Sequence, residues 1–143
     1  MAQNLAFHQE IADAFLQSDQ MATGLPQYLG FRITGFEPGK MFAEMEVRPD
    51  LLTPIGNMHG GVVAAFCDHM LGSVCYPHMP AGYWAATTEF KLNLTAPISR
   101  GVIKAVASVM VMTKSTAVIR IDMENEGRAV CCAQGTCLLR APR

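Results

Sequence analysis

The stretch Asn57–Tyr76, NMHGGVVAAFCDHMLGSVCY, decides how this chain is read. A His59-Gly60-Gly61 turn opens directly into a helical segment that is apolar nearly all round. Gly61, Ala64, Ala65, Gly72 and Ser73 keep that segment slim. A helix hydrophobic on every face is expected in the middle of a fold. It carries one carboxylate, Asp68, flanked by Phe66, Cys67, Met70 and Leu71. An acid in oily surroundings is costly unless it is paired or put to use. The turn before it leaves backbone N–H groups free to hold an oxyanion.

Working outward, apolar residues at Leu5, Phe7, Ile11, Phe15 and Leu16 form a helical stripe, which predicts a helix from Asn4, as N-cap, to about Gln20. Gly24 and Pro26 end that segment. Two strand-like runs follow, Tyr28–Glu37 and Lys40–Arg48, joined by the turn dipeptide Pro38-Gly39. In the second, Ala43, Met45 and Val47 alternate with Glu44, Glu46 and Arg48, the pattern of a half-buried antiparallel strand. His78, Met79 and Pro80 mark the exit of the apolar helix. Strand patterns then occupy Trp84–Ala96, Gly101–Lys114, Ala117–Glu124 and Arg128–Leu139, the last two joined at Glu126-Gly127. Long antiparallel strands around one oily helix are best satisfied when the sheet curls about it, so the class is α+β. The 143 residues suit a single domain, with an N-terminal helix over about 4–20 and a core over about 28–140.

Composition removes several function classes. Net charge is −1 with no basic block, so there is no nucleic-acid footprint and no polybasic membrane patch. No apolar run approaches the roughly 20 residues of a bilayer span. The first twenty residues lack a signal-peptide pattern and contain Glu10, Asp13 and Asp19, unlike a transit peptide, so a cytoplasmic location is expected. Half the residues are hydrophobic and only 16% are charged, which favours an oligomer that hides apolar surface. Cys67, Cys75, Cys131, Cys132 and Cys137 form no CxxC pair and read as buried free thiols. Adjacent Cys131 and Cys132 should point to opposite faces of a strand. Met41, Met45, Met58, Met70, Met79, Met110 and Met112 read mostly as core filler.

HGGVVAAFCDHMLG, followed by TTEFKLNLTAPISRG and the closing AQGTCLL, resembles the hotdog-fold acyl-CoA thioesterases of the phenylacetyl-CoA type, within the 4-hydroxybenzoyl-CoA thioesterase superfamily. The resemblance spans about Tyr28 to Leu139. It implies a hotdog fold and hydrolysis of an acyl-CoA thioester to free acid and CoA, without metal or organic cofactor. It implies that the Gly60 N–H polarises the thioester carbonyl and that Asp68 is the general base or nucleophile. His59 would order the turn, and Thr87 would help to place the water or the acid. Substrate contacts would include Gly61, Thr88, Asn57, and the Lys114-Ser115 turn facing the phosphates of coenzyme A. The site would be completed across a homodimer, Gly60 of one subunit facing Asp68 of the other, with homotetramers usual. Thr53 stands where the family has an Asn that positions the nucleophile and the carbonyl; Asn57, at a different spacing, points in a different direction.

Simpler readings stand beside these. Asp68 can be a buried acid capped by a hydroxyl or by His69, and His59 a ring bonded to backbone. His69 lies about 100° around the helix from Asp68 and is a poor partner for it. A zinc site from His59, Asp68, His69 and His78 has no familiar spacing. Ser73 lacks a nucleophile-elbow context. The main functional alternative is a non-catalytic acyl-CoA binding module in which Thr53 has disabled the chemistry.

Overall fold

The computed structural model describes residues 5–143. Three helices, α1 (Gln9–Asp19), α2 (Leu25–Leu29) and α3 (Gly60–Ser73), accompany six strands. These are β1 (Phe31–Glu37), β2 (Lys40–Glu46), β3 (Trp84–Leu94), β4 (Val102–Met112), β5 (Thr116–Asn125) and β6 (Arg128–Arg140). The strands form one antiparallel sheet in the order β1-β2-β4-β5-β6-β3, so β1 and β3 are its edges. The sheet curls around α3, the hotdog arrangement.

The turns follow from local chemistry. Gly39 takes φ +76° between β1 and β2. Between β5 and β6, Glu126 and Gly127 both have positive φ, as a tight hairpin turn requires, and Glu126 is the sole non-glycine residue in that region among those described. Register shifts at Thr34, Thr88 and Met110 break the ladders of β1, β3 and β4, and such bulges sharpen twist. The bulge accounts for Met110, which is exposed rather than core; Met41, Met45, Met58, Met70 and Met79 are buried as expected.

The inner face of the sheet meets α3 through Phe66, Met70 and Leu71, packed against Met41, Met45, Ile103, Ile119 and Ile121. Gly135 on β6 is a point of close approach between helix and sheet. A Cβ there would lie 2.6 Å from Phe90 Cβ and 2.8 Å from both the Glu89 carbonyl and Leu71 Cδ1, so no other residue fits without backbone movement.

Three expectations need correction. The N-terminal helix starts at Gln9, after His8, and Asn4 lies outside the described residues. Leu5–Phe7 run instead as a strap held by tertiary bonds: His8 N–H donates to the Pro77 carbonyl (2.8 Å), and His78 Nδ1 lies 2.7 Å from the Ala6 carbonyl. Helix α2 forms where Gly24 and Pro26 suggested only a stop, because proline is tolerated in a first helical turn. Finally, α3 is not covered on all sides. Val63, Phe66, Cys67, Met70 and Leu71 are buried, whereas Gly61 and Asp68 are exposed, and Ala64, Ala65 and Gly72 are half-buried.

Candidate active site

Everything in the loop before α3 serves to aim that helix. Thr53 N–H donates to the Asn57 carbonyl (2.7 Å), Gly56 N–H donates to the Thr53 carbonyl (2.9 Å), and Leu52 pairs with Met58. His59 N–H donates to the Leu51 carbonyl (3.0 Å) and Met58 N–H to the Ile98 carbonyl (2.6 Å). This closed loop delivers His59 as N-cap in an extended conformation, φ −63° and ψ 129°. The Thr53 hydroxyl is buried and has no hydrogen-bond partner among the described residues.

The two glycines then part company. Gly61 N–H donates to His59 Nδ1 (2.9 Å), so its amide is engaged by the cap and is withdrawn from any oxyanion role. This bond gives His59 an ordering function and makes its Nδ1 the acceptor. Gly60 N–H has no acceptor among the described residues and stands at the positive end of a fourteen-residue helix. A Cβ on Gly60 would meet Leu94 Cδ1 at 2.9 Å, and one on Gly61 would meet His59 Nδ1 at 3.0 Å, so the chain's own side chains fill those spaces. Beside Gly60 lies a crevice of about 330 Å³ lined by Asn57, Met58, Leu94, Thr95, Pro97 and Ile98.

Asp68 is exposed, not buried, and neither the neighbouring hydroxyls nor His69 bond to it among the described residues. The reason is angular: positions 61, 65, 68 and 72 share one side of a helix. That side is the open one here. Its far end adjoins the edge strand β3, since a Cβ on Gly72 would lie 4.0 Å from the Ala85 carbonyl. Thr87 on β3 places its hydroxyl 3.8 Å from Cys137 Sγ, in the same neighbourhood; Cys75 and then Thr87 draw the Cys137 thiol below its usual range, against burial and the nearby Asp68 charge. Thr88 occupies the β3 bulge and donates to the Thr136 carbonyl (3.0 Å).

Within one chain these groups do not converge. Eight residues of helix separate Gly60 from Asp68 by about 12 Å along the axis, too far for both to reach one carbonyl group. Lys114 and Ser115 are exposed at the β4–β5 turn, where Lys114 joins His78, Met79, Pro80, Tyr83 and Leu139 around a groove of about 720 Å³. His69 turns toward β1, with its ring 5.3 Å from Phe31, and burial holds its pKa below the usual histidine range despite Asp19 and Asp68 nearby. Its Nε2 is buried without a partner among the described residues. His78 is committed elsewhere, accepting from Gly39 N–H at Nε2 (3.2 Å). Among the described residues no three His, Cys, Asp or Glu side chains could hold a metal ion together.

Leu94 went unnoticed in the sequence. Only the fold brings this strand-end leucine against Gly60.

A curled sheet around a helix entered through His-Gly-Gly defines the class as hotdog. The family model described as Thioesterase superfamily matches residues 55–132, and the chain belongs to that superfamily. It is thereby an enzyme of the thioester-hydrolase class. The 1,4-dihydroxy-2-naphthoyl-CoA hydrolase of Listeria monocytogenes is 27% identical over 109 residues, covering 76% of this chain and 89% of the relative. Among solved structures, a Haemophilus influenzae thioesterase superposes with TM-score 0.83 at 22% identity, over 88% of this chain and 90% of that one. The PaaI protein from the phenylacetic acid degradation operon of E. coli gives TM-score 0.81 at 20% identity, over 92% and 97%. At these identities the structural likenesses speak for the fold.

Proposed function

We propose that this protein hydrolyses an acyl-CoA thioester to the free acid and CoA, at a site assembled from two copies of the chain. One observation carries the reading. A free helix-terminal amide, Gly60 N–H, and an exposed carboxylate, Asp68, lie on one helix about 12 Å apart, so each needs a complement that a second, oppositely directed α3 supplies. The uncovered side of α3 and the unpaired edge of β3 adjoin one another, and together they offer a continuous surface for that second copy.

In this scheme the thioester oxygen accepts from Gly60 N–H, where the helix dipole favours the charge that develops. If Asp68 of the second copy attacks the carbonyl carbon itself, the thiolate leaves and water then hydrolyses the mixed anhydride, supplying the thiolate's proton; as general base instead, Asp68 removes a proton from water as the water oxygen bonds to that carbon. The tetrahedral oxyanion collapses, the C–S bond breaks, and the leaving thiolate recovers the proton from Asp68. A thiolate is a good enough leaving group that no metal is needed to activate it. Thr87 and Thr88 orient the water and the acid, Thr53 and Asn57 shape the loop beneath the carbonyl, and Lys114 and Ser115 meet the CoA phosphates. The working assembly is a homodimer, paired further into a homotetramer, and it acts in the cytoplasm. No helix is long and apolar enough to cross a membrane.

The test uses Gly60→Pro. His59 already has the conformation that precedes proline, and the first helical position tolerates it, so the variant deletes one N–H and keeps the helix, with the Leu94 side-chain tip moving aside for the added Cβ. Turnover of an acyl-CoA panel, followed by free thiol, should fall by about 10²–10³. Mixing Gly60→Pro with Asp68→Asn should restore activity through hybrid dimers that hold one intact site. Absence of recovery in verified hybrids refutes the shared site.

A second reading, a non-catalytic acyl-CoA binder, is favoured by the unpaired Thr53 hydroxyl where the resemblance expects an amide side chain. Tight binding without CoA release, with hydrolysis gained on Thr53→Asn, would establish it.

A further inference from the structure

Leu94 ends β3 and follows Phe90 and Leu92 on the same face of that strand. Phe90 and Leu92 pack against the core, whereas Leu94 runs past it and is 54% exposed. It nonetheless rests on backbone. Its Cδ1 lies 2.9 Å from where a Cβ on Gly60 would sit, so it touches the residue whose N–H is free.

The same side chain walls the crevice of about 330 Å³, together with Met58, Pro97 and Ile98. The backbone around that crevice is pinned. Met58 N–H donates to the Ile98 carbonyl (2.6 Å), and the Arg128 guanidinium donates to the Pro97 carbonyl (2.7 Å). Thr95 donates through its N–H to the Val130 carbonyl (2.9 Å) and through its hydroxyl to the Ala129 carbonyl (3.1 Å). Met58 and Ile98 are buried, and none of the lining side chains is charged, which suits a hydrocarbon group rather than a phosphate.

We propose that Leu94 is the specificity-determining residue for the acyl group: it admits an unbranched α-carbon to this crevice and excludes a branched one. The inference rests on the thioester hydrolysis proposed above. A carbonyl oxygen accepting from Gly60 N–H lies about 3 Å from that nitrogen, which brings the adjoining α-carbon against the side chain that already touches Gly60. A linear acyl group, or a ring carried on a CH₂, passes Leu94 toward Met58 and Ile98. An α-methyl meets Leu94 Cδ1. The substrate class is therefore acyl-CoAs whose α-carbon bears no branch.

The full chain, Leu94→Ala and Leu94→Phe are assayed by thiol release on pairs that differ by a single α-methyl. These are butyryl-CoA with 2-methylbutyryl-CoA, and phenylacetyl-CoA with 2-phenylpropionyl-CoA. Position 94 is exposed, so both variants should melt near the temperature of the unaltered protein. The unaltered protein should favour the unbranched member of each pair by about 10-fold or more in kcat/KM. Leu94→Ala should bring that ratio toward one, Leu94→Phe should widen it, and inhibition by free CoA should be the same in all three. Preference for the branched member, or ratios that do not move with residue 94, overturn the assignment. So does a parallel shift in CoA inhibition, which puts the CoA arm in the crevice. No CoA release from any of the four removes the underlying hydrolysis and the assignment with it, a result distinct from turnover with unmoved ratios.

Discussion

The two sides of α3 belong to one helix, one side large and apolar and the other small with a single acid, and they have opposite fates. Toward the sheet, Val63, Phe66, Cys67, Met70 and Leu71 are buried to 1% exposure or less. Away from it, Gly61, Ala65, Asp68 and Gly72 are exposed or half-buried. The sheet side is saturated: every group has neighbours, and change is costly. The open side is unfinished, with small residues around one acid beside an unpaired strand edge. A protein stabilises itself with the first kind of surface and acts with the second.

The contrast predicts which variants lose activity and which lose stability. Asp68→Asn should lower acyl-CoA turnover by about 10²–10⁴ with the melting temperature unchanged, as measured by thiol release and calorimetry. Equal activity in the variant removes the base from the mechanism. Phe66→Ala, two residues away and buried on the opposite side, should cost about 3–5 kcal/mol of stability by urea titration. Gly135→Ala should also destabilise, since its Cβ would press on the Glu89 carbonyl and Phe90 Cβ at under 3 Å; the refolded yield and melting temperature report it. Ala65→Leu, on the open side, should leave the melting temperature of the isolated chain nearly unchanged and shift the sedimentation coefficient toward monomer.

The smallest effect concerns His78, which ties the N-terminal strap to the β1–β2 turn through Ala6 and Gly39. Burial holds its pKa below the usual 6.5, with the Ala6 carbonyl partly offsetting and His8 adding to the depression. The neutral ring is therefore the bound form. Its stabilisation is complete above pH 6.5, the unfolded value, and is lost as pH falls from there through the lower folded value. Protonated Nε2 can no longer accept from Gly39. Denaturant midpoints at pH 7.5 and 5.5 should differ, and His78→Phe should flatten the difference in part. His69, depressed by burial in the same direction, keeps the remainder.

Much of this was legible in the residues themselves. The Pro38-Gly39 and Glu126-Gly127 turns, the alternation in β2 and β5, and the oily helix after His-Gly-Gly are local signals, set by backbone conformation and side-chain period. The start of α1 was not legible, because the stripe of Leu5 and Phe7 continues a helical pattern that Pro77, Ala6 and His78 override with long-range bonds. The exposure of Asp68 was hidden for a related reason. Its neighbours Cys67 and His69 point elsewhere around the helix, so apolar flanks along the chain do not enclose a side chain in space.

By itself the sequence determined that an apolar helix opened by a glycine turn would be wrapped by long antiparallel strands, since periodicity and turn chemistry act over a few residues. Only the tertiary structure decided which amide stays free, with Gly61 held by His59 and Gly60 left open, and which side of α3 the sheet leaves bare. Those outcomes depend on the angle and register at which helix meets sheet. A contact between residues sixty-four apart, such as Leu71 at Gly135, sets them, and nothing local records it.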